Sequence, residues 1–276
     1  MRYRQSNVRS YIAYFFLQIK QGLQYRTAAI AGAITQFCWG YMLLFIFQAF
    51  YQSNIQAQPI SYTQVVQIIW LQQAFLAFFV LWFRDNDIFT MILTGSIAYE
   101  LCRPIHLYSF WFVKLISARL SSASLRCMPI LLVAAFLPAP YSLNFPPSIQ
   151  HFLYFFLTLF LGLVLLVTIS MFVYISTFYT YSAVGSMLLF AVFGEFFAGL
   201  IIPVPLMPLW LQKIVYALPF RYTCDVPFRI YAEKNPNVWI SFIIPFGIVN
   251  YIPLLFLLGK LKAPSVAISI LYTVPL

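Results

Sequence analysis

HFLYFFLTLFLGLVLLVTISMFVYIST, residues 151–177, is a run of 27 residues with no Asp, Glu, Lys or Arg. As a helix it would extend about 40 Å, more than the ~30 Å hydrocarbon core of a bilayer, so it reads as a membrane-crossing segment. Just upstream, Met128–Leu137 is a second charge-poor stretch, and the loop between the two holds Pro138, Pro140, Pro146 and Pro147 but no charge. Across all 276 residues the chain is 63% hydrophobic and 8% charged, with mean hydropathy +0.87. A soluble domain of this length could bury a large core but could not cover its surface with so few charges. The expected fold is an all-α polytopic membrane protein forming one transmembrane domain over 1–276.

The remaining composition agrees with that expectation. Phe 30, Tyr 19 and Trp 6 suit side chains facing acyl chains and headgroups, and 17 prolines suit broken or re-entrant helices. Cys38, Cys102, Cys127 and Cys224 have no metal-ligand spacing and read as free, small apolar residues. The formal charge of +10 lies mostly beside apolar spans, so it reads as a topology signal and as contact with anionic lipid, not as a nucleic-acid surface.

Six spans are expected, at about 28–50, 62–83, 117–137, 151–177, 183–202 and 238–258. Before them, residues 8–26 carry basic ends around an apolar middle and read as an interfacial helix, with no pattern of a cleavable leader. Within the third span Arg119 and Arg126 fall about 20° apart on one helical face and are expected to snorkel toward headgroups. Ser117, Ser121 and Ser124 form a separate small-residue stripe suited to close packing. Between the fifth and sixth spans, Pro203, Pro205, Pro208 and Pro219 break an apolar stretch, so 203–220 reads as short re-entrant helices. Residues 221–237 read as a polar connection. Placing 1–26, 84–126 and 260–262 on one side puts twelve basic residues there against four on the other, which makes both termini cytoplasmic.

Little in the sequence offers covalent chemistry. There is no nucleophile–base pattern and no metal cluster, and His106 and His151 lack convergent ligands. Without a phosphate-binding glycine loop the chain has no ATPase site of its own, so it is expected not to be an enzyme and to bind no cofactor. Polar groups inside spans are scarcer and more informative. Gln67 and Gln72 require partners within a bundle, and Glu195 is the one carboxylate in an expected span, placed either toward the bundle interior or at an interface. Gly194-x-x-x-Ala198 and nearby Gly199 indicate close packing in the same region.

The charged segment 84–106 is the most distinctive. Asp85 or Asn86 would cap a short helix carrying Asp87 and Ile88, Gly95 would end it, and Ser96 would cap a second short helix through Glu100 and Leu101. Pro104 would close that helix by restricting Arg103. Two short amphipathic helices of this kind make a docking surface.

Gly95-x-Ile97-x-x-x-Leu101-x-Arg103-Pro104-Ile105, Tyr25-Arg26 ahead of the first span, Pro203-x-x-x-x-Pro208-x-Trp210, and Leu218-Pro219-Phe220 occur in that order with six spans. Over about Lys20 to Lys260 the chain resembles the membrane subunits of type-2 ABC export systems. The resemblance implies an interfacial connecting helix, re-entrant helices before the last span, and placement in a bacterial inner membrane. It implies a second permease subunit, identical or related, and a P-loop ATPase subunit that carries the ATP and Mg. It implies that Asp87, Ile88, Gly95, Glu100, Leu101, Arg103 and Pro104 couple to that ATPase, with Glu100 and Arg103 free to pair with its charges. Gln67, Gln72, Gly194, Glu195 and Gly199 would line or pack the pathway for an amphipathic or lipid-like cargo. Pro203, Pro208, Trp210 and Pro219 would shape the re-entrant cap. One departure stands out: residues 263–276 carry no charge where the family has a basic tail. Two other readings stay open, an ion-coupled secondary transporter using Glu195 and a membrane assembly protein without transport.

Overall fold

The computed structural model describes residues 3–53, 58–82, 85–103, 105–180 and 182–232; the expected span 238–258 and the tail 263–276 lie outside them. The described residues are mostly helical, with no strand among them. In chain order the helices begin with α1 (Tyr3–Gly22), α2 (Arg26–Ser53), α3 (Tyr62–Ala74), α4 (Leu76–Phe79), α5 (Asn86–Thr94) and α6 (Ile97–Leu101). They continue with α7 (Leu107–Ala135), α8 (Ile149–Thr180), α9 (Ala183–Phe197), α10 (Leu209–Ala217) and α11 (Asp225–Ala232). Two 3-10 turns, Val204–Leu206 and Pro219–Thr223, flank α10.

Among the described residues three helices, α2, α7 and α8, are long and apolar enough to cross a membrane. The α8 helix explains why. Its inward positions Phe155, Leu159, Leu163 and Leu166 are buried, while Phe152, Leu153, Phe156, Leu157 and Phe160 stand exposed on the other side. An outer face of large apolar side chains suits acyl chains and would be a liability in water. On α2 the buried stripe is Ala29, Ala33, Gln36, Gly40 and Leu44, and Ile30, Ile34, Phe45 and Ile46 face outward.

α7 is the axis of the fold, contacted by α1, α2, α3, α4 and α8. α1 and α2 follow α7 in its own direction. The His106 amide donates to Tyr11 Oη at 3.0 Å, the Tyr14 and Phe110 rings lie 4.5 Å apart, and Gly22 sits against the Ser121 hydroxyl. Higher up, Gly32 lies against the Arg126 guanidinium, and Tyr141 donates to Gln48 Oε1 at 2.8 Å. α8 returns antiparallel, with Trp111 meeting Tyr174 near one end.

Several boundaries differ from the sequence expectation. The third long helix starts at Leu107, not near 117, because nothing before Arg119 breaks it. The expected 62–83 helix is interrupted: α3 opens with a reciprocal Ser61–Gln64 capping box, but Phe75 leaves helical geometry and only the single turn α4 follows. The expected 183–202 span ends at Phe197. There Gly199 adopts φ 80°, its amide bonds the Phe196 carbonyl at 3.1 Å, and the Leu200 amide bonds the Glu195 carbonyl at 3.2 Å. That pair of bonds is a Schellman stop, and Pro203 prevents resumption.

Residues 221–237 were read as a polar connection, and the described part of them is buried instead. Arg221 and Asp225 pair at 3.6 Å, and the intervening turn delivers α11 into the core. Phe228 stacks edge-on to Phe79 at 5.4 Å, and Tyr231 meets Phe155 at 5.3 Å. Two of the charges that suggested solvent lie within ion-pair distance of each other inside the fold, with the Arg221 guanidinium also over the Tyr216 ring, and their apolar neighbours pack around them.

Candidate functional site

The α5–α6 pair forms a shelf at the end of the bundle. Asp85 caps α5, accepting from the amides of Asp87 at 3.0 Å and Ile88 at 3.4 Å. Ile88, Phe89 and Ile92 turn inward, with the Phe89 ring 4.6 Å from that of Tyr174. Gly95 ends α5 at φ 74°, and a Cβ there would meet nothing within 4 Å among the described residues. Its requirement is therefore the left-handed backbone, which side chains disfavour by about 1–2 kcal/mol, and not close approach of a neighbour.

Ser96 does not cap α6 as expected; it is itself in right-handed helical geometry, and its hydroxyl meets that of Thr94 at 2.9 Å. No residue of α6 is buried, and Tyr99 and Leu101 are 78% and 65% exposed. Glu100 and Arg103, expected to be available to a partner, pair with each other at 3.1 Å. With Arg103 largely exposed that pair is worth little and opens readily. Pro104 lies outside the described residues.

Behind the shelf is a set of polar contacts that sequence reasoning missed. Lys114 Nζ on α7 lies 2.6 Å from Asp85 Oδ2 and 3.7 Å from Asp87 Oδ2. The Asp85 amide donates to Tyr174 Oη on α8 at 2.9 Å. Arg119, expected to snorkel, is buried, and its Nη1 donates to the carbonyls of Ala77 at 3.0 Å and Val80 at 2.9 Å. Those carbonyls lie in and just after α4, where the helix stops, so the arginine takes acceptors that a continuing helix would have used. A signal was present: Lys114 is the lone lysine between Lys20 and Lys213, inside an otherwise apolar helix, and Asp85, Asp87 and Glu100 are the acids near it in sequence.

The expected pathway residues separate into two groups. Gln72 is buried, and its Nε2 donates to the Gly199 carbonyl at 3.1 Å and lies 3.7 Å from Cys224 Sγ, tying α3 to the stop of α9 and the start of α11. Gly194 packs against Leu81 and Phe220, and the Glu195 carboxylate takes a hydrogen bond from the Trp82 side chain. Gln67 is not part of this knot. It borders a cavity of about 470 Å³ with Ser61, Thr63, Gln64 and Asn144. A second cavity of about 420 Å³ shares Gln64 and adds Gln212, Tyr216 and Arg229.

Pro203 and Pro208 precede the first 3-10 turn and α10, and Pro219 opens the second turn, so each proline falls at a break. Trp210 is exposed on α10. The Arg221 guanidinium lies over the Tyr216 ring, 4.2 Å from its centroid. The shelf and the Gln72 knot are distinct places joined by α4 and residues 80–82, which Arg119 holds on one side and Glu195 on the other. Comparison with protein-family models, with curated proteins and with solved structures gives no match to this chain.

Proposed function

We propose that this chain is the membrane subunit of an ATP-driven exporter of the type-2 ABC class, working beside a second permease, identical or related, and a separate P-loop ATPase that carries ATP and Mg. The observation that carries the reading is the α5–α6 shelf: two short helices joined at Gly95, apolar and exposed at Leu93, Tyr99 and Leu101, and fastened from behind to two long apolar helices. A shelf of this shape offers a groove-sized knob to a soluble partner while its other side stays in register with the membrane helices. In this reading α2, α3–α4, α7, α8, α9 and residues 238–258 are the six spans of a protein in the bacterial inner membrane, with both termini cytoplasmic. The broken helices of 203–220 re-enter from the outer side. ATP-driven closure of the ATPase pair moves the shelves as rigid bodies and repacks the permease interface for an amphipathic cargo.

The test is whether a P-loop ATPase is recovered with the affinity-purified chain from its native membrane. Leu101→Asp together with Tyr99→Asp is expected to cut recovery of the ATPase on affinity-purified permease at least tenfold while leaving detergent-solubilised permease intact by size exclusion, since a charge in an apolar contact loses about 2 kcal/mol or more. Recovery equal to wild type overturns the docking role. Transport in vesicles driven by a proton gradient alone, and abolished by Glu195→Gln, would replace the reading with ion-coupled transport.

A further inference from the structure

We infer that Lys114 and Arg119 are positioning residues that lock the α5–α6 shelf and the α4 turn before it to α7, so that a displacement of the shelf is passed directly to α7 and α8 and does not have to travel through the broken α3–α4 helix. This inference deepens the proposed coupling role of the shelf. It stands on contacts that exist whatever protein docks there.

The chain leaves α3 at Phe75, makes the single turn α4, and reaches α5 at Asn86. A continuous helix through this region would make α3 and the shelf one lever. The helix is not continuous, and the side chains that replace it come from elsewhere. Arg119 binds the carbonyls of Ala77 and Val80 at 3.0 and 2.9 Å, so the end of α4 is fixed to α7. Lys114, five positions earlier on the same helix, binds Asp85 at 2.6 Å and lies 3.7 Å from Asp87, so the start of α5 is fixed to α7 as well. α8 adds a third hold through Tyr174 on the Asp85 amide at 2.9 Å and on the Phe89 ring.

These holds differ in strength. The Lys114 and Asp85 side chains are 16% and 17% exposed, and Arg119 is 1% exposed, so water competes poorly for either. Removing one member takes the closest countercharge from Asp85 or Lys114, or the donor from two carbonyls, in a poorly hydrated place, which is more costly than losing a surface pair. By contrast, the shelf's own Glu100–Arg103 pair is open to solvent on the arginine side and adds little. The shelf is thus free at its docking face and pinned at its root. An element of that kind transmits displacement to whatever pins it, here α7 and α8.

The experiment measures amide hydrogen exchange across 76–101 in the full-length chain in lipid nanodiscs, without any partner, for wild type, Lys114→Met, Lys114→Arg and Asp85→Asn, the last keeping a side chain that can cap α5. Exchange in α5 is expected to rise about tenfold or more in Lys114→Met and Asp85→Asn, since loss of a largely buried ion-pair partner lowers local opening free energy. Lys114→Arg, which keeps the charge, is expected to retain most of the protection. Arg119→Gln is expected to raise exchange at 77–82 while exchange in α5 changes less. Equal α5 exchange in wild type, Lys114→Met and Asp85→Asn would overturn the lock. So would a Lys114→Arg chain no better protected than Lys114→Met, because the charge pair would then not be what holds the shelf. Reconstitution with the ATPase separates this from the functional reading. Lys114→Met is expected to keep the ATPase bound and lose transport-stimulated hydrolysis, whereas a wild-type chain that binds no ATPase would end the exporter reading and leave the exchange result standing.

Discussion

Asp225→Ala is expected to destabilise the folded chain by about 3–5 kcal/mol, the cost of taking the carboxylate out of a buried ion pair. Arg221 and Asp225 are 3% and 5% exposed and lie 3.6 Å apart, one helical turn from each other at the entry to α11. Alanine would remove the carboxylate beside a guanidinium that packs on the Tyr216 ring at 4.2 Å and near that of Tyr222, and a ring face is a weaker counterweight to the charge than a carboxylate. Denaturant-driven unfolding in mixed micelles, followed by tryptophan fluorescence, gives the measurement. The double replacement Arg221→Met with Asp225→Leu is expected to recover much of the loss, because two apolar side chains in that space need no partner. A single variant as stable as wild type would show that the pair does not anchor α11.

The second large effect is expected at Gly162. A Cβ there would lie 3.0 Å from the Tyr222 carbonyl oxygen and 3.1 Å from that of Thr223. Both atoms are backbone of the 3-10 turn Pro219–Thr223, so neither side can rotate away, and α8 would have to move off the turn as a whole. Gly162→Ala is expected to cost about 1 kcal/mol and Gly162→Leu about 3 kcal/mol, the range for overpacking a filled interior. Gly185→Ala is the control. Among the described residues its Cβ would meet only the Ser182 hydroxyl at 3.8 Å, and the helix-propensity gain of up to about 1 kcal/mol should appear as a small stabilisation. Equal stability of Gly162→Leu and wild type in the same micelle assay would refute the close approach of α8 and the turn.

The sequence made the long elements legible because their physics is one-dimensional. A run without charge, such as residues 151–177, needs only its length and composition to be read as a crossing helix, and α2 and α8 appear where such runs lie, whereas α7 carries Lys114, Arg119 and Arg126 and begins at Leu107, ahead of the expected 117. Asp85 as a cap and Gly95 as a stop were also readable, since both act within a few residues of themselves. The interruption at Phe75 was not. No Gly or Pro marks it, and what takes the carbonyls of Ala77 and Val80 is an arginine about forty positions away. Arg119 itself was misplaced for the same reason: its helical face could be computed, but not which neighbour would occupy that face. α11 was misread because Arg221, Asp225 and Arg229 raise local polarity, and only contact reveals that two of them form a buried pair. The stop of α9 could have been found, since Gly199 followed by Pro203 is the expected grammar of a helix C-terminus.

The shared direction of α2 and α7 has a consequence for parity. Two helices that traverse a bilayer the same way require an odd number of opposite traverses in the chain between them. Only residues 58–82 are available for that among the described segments, since α5 and α6 are nine and five residues long. In the proposed six-span reading the kinked α3–α4 stretch makes the return passage despite falling short of a full-length span, and Arg119, reaching over from α7, takes the Ala77 and Val80 carbonyls that its broken backbone leaves over.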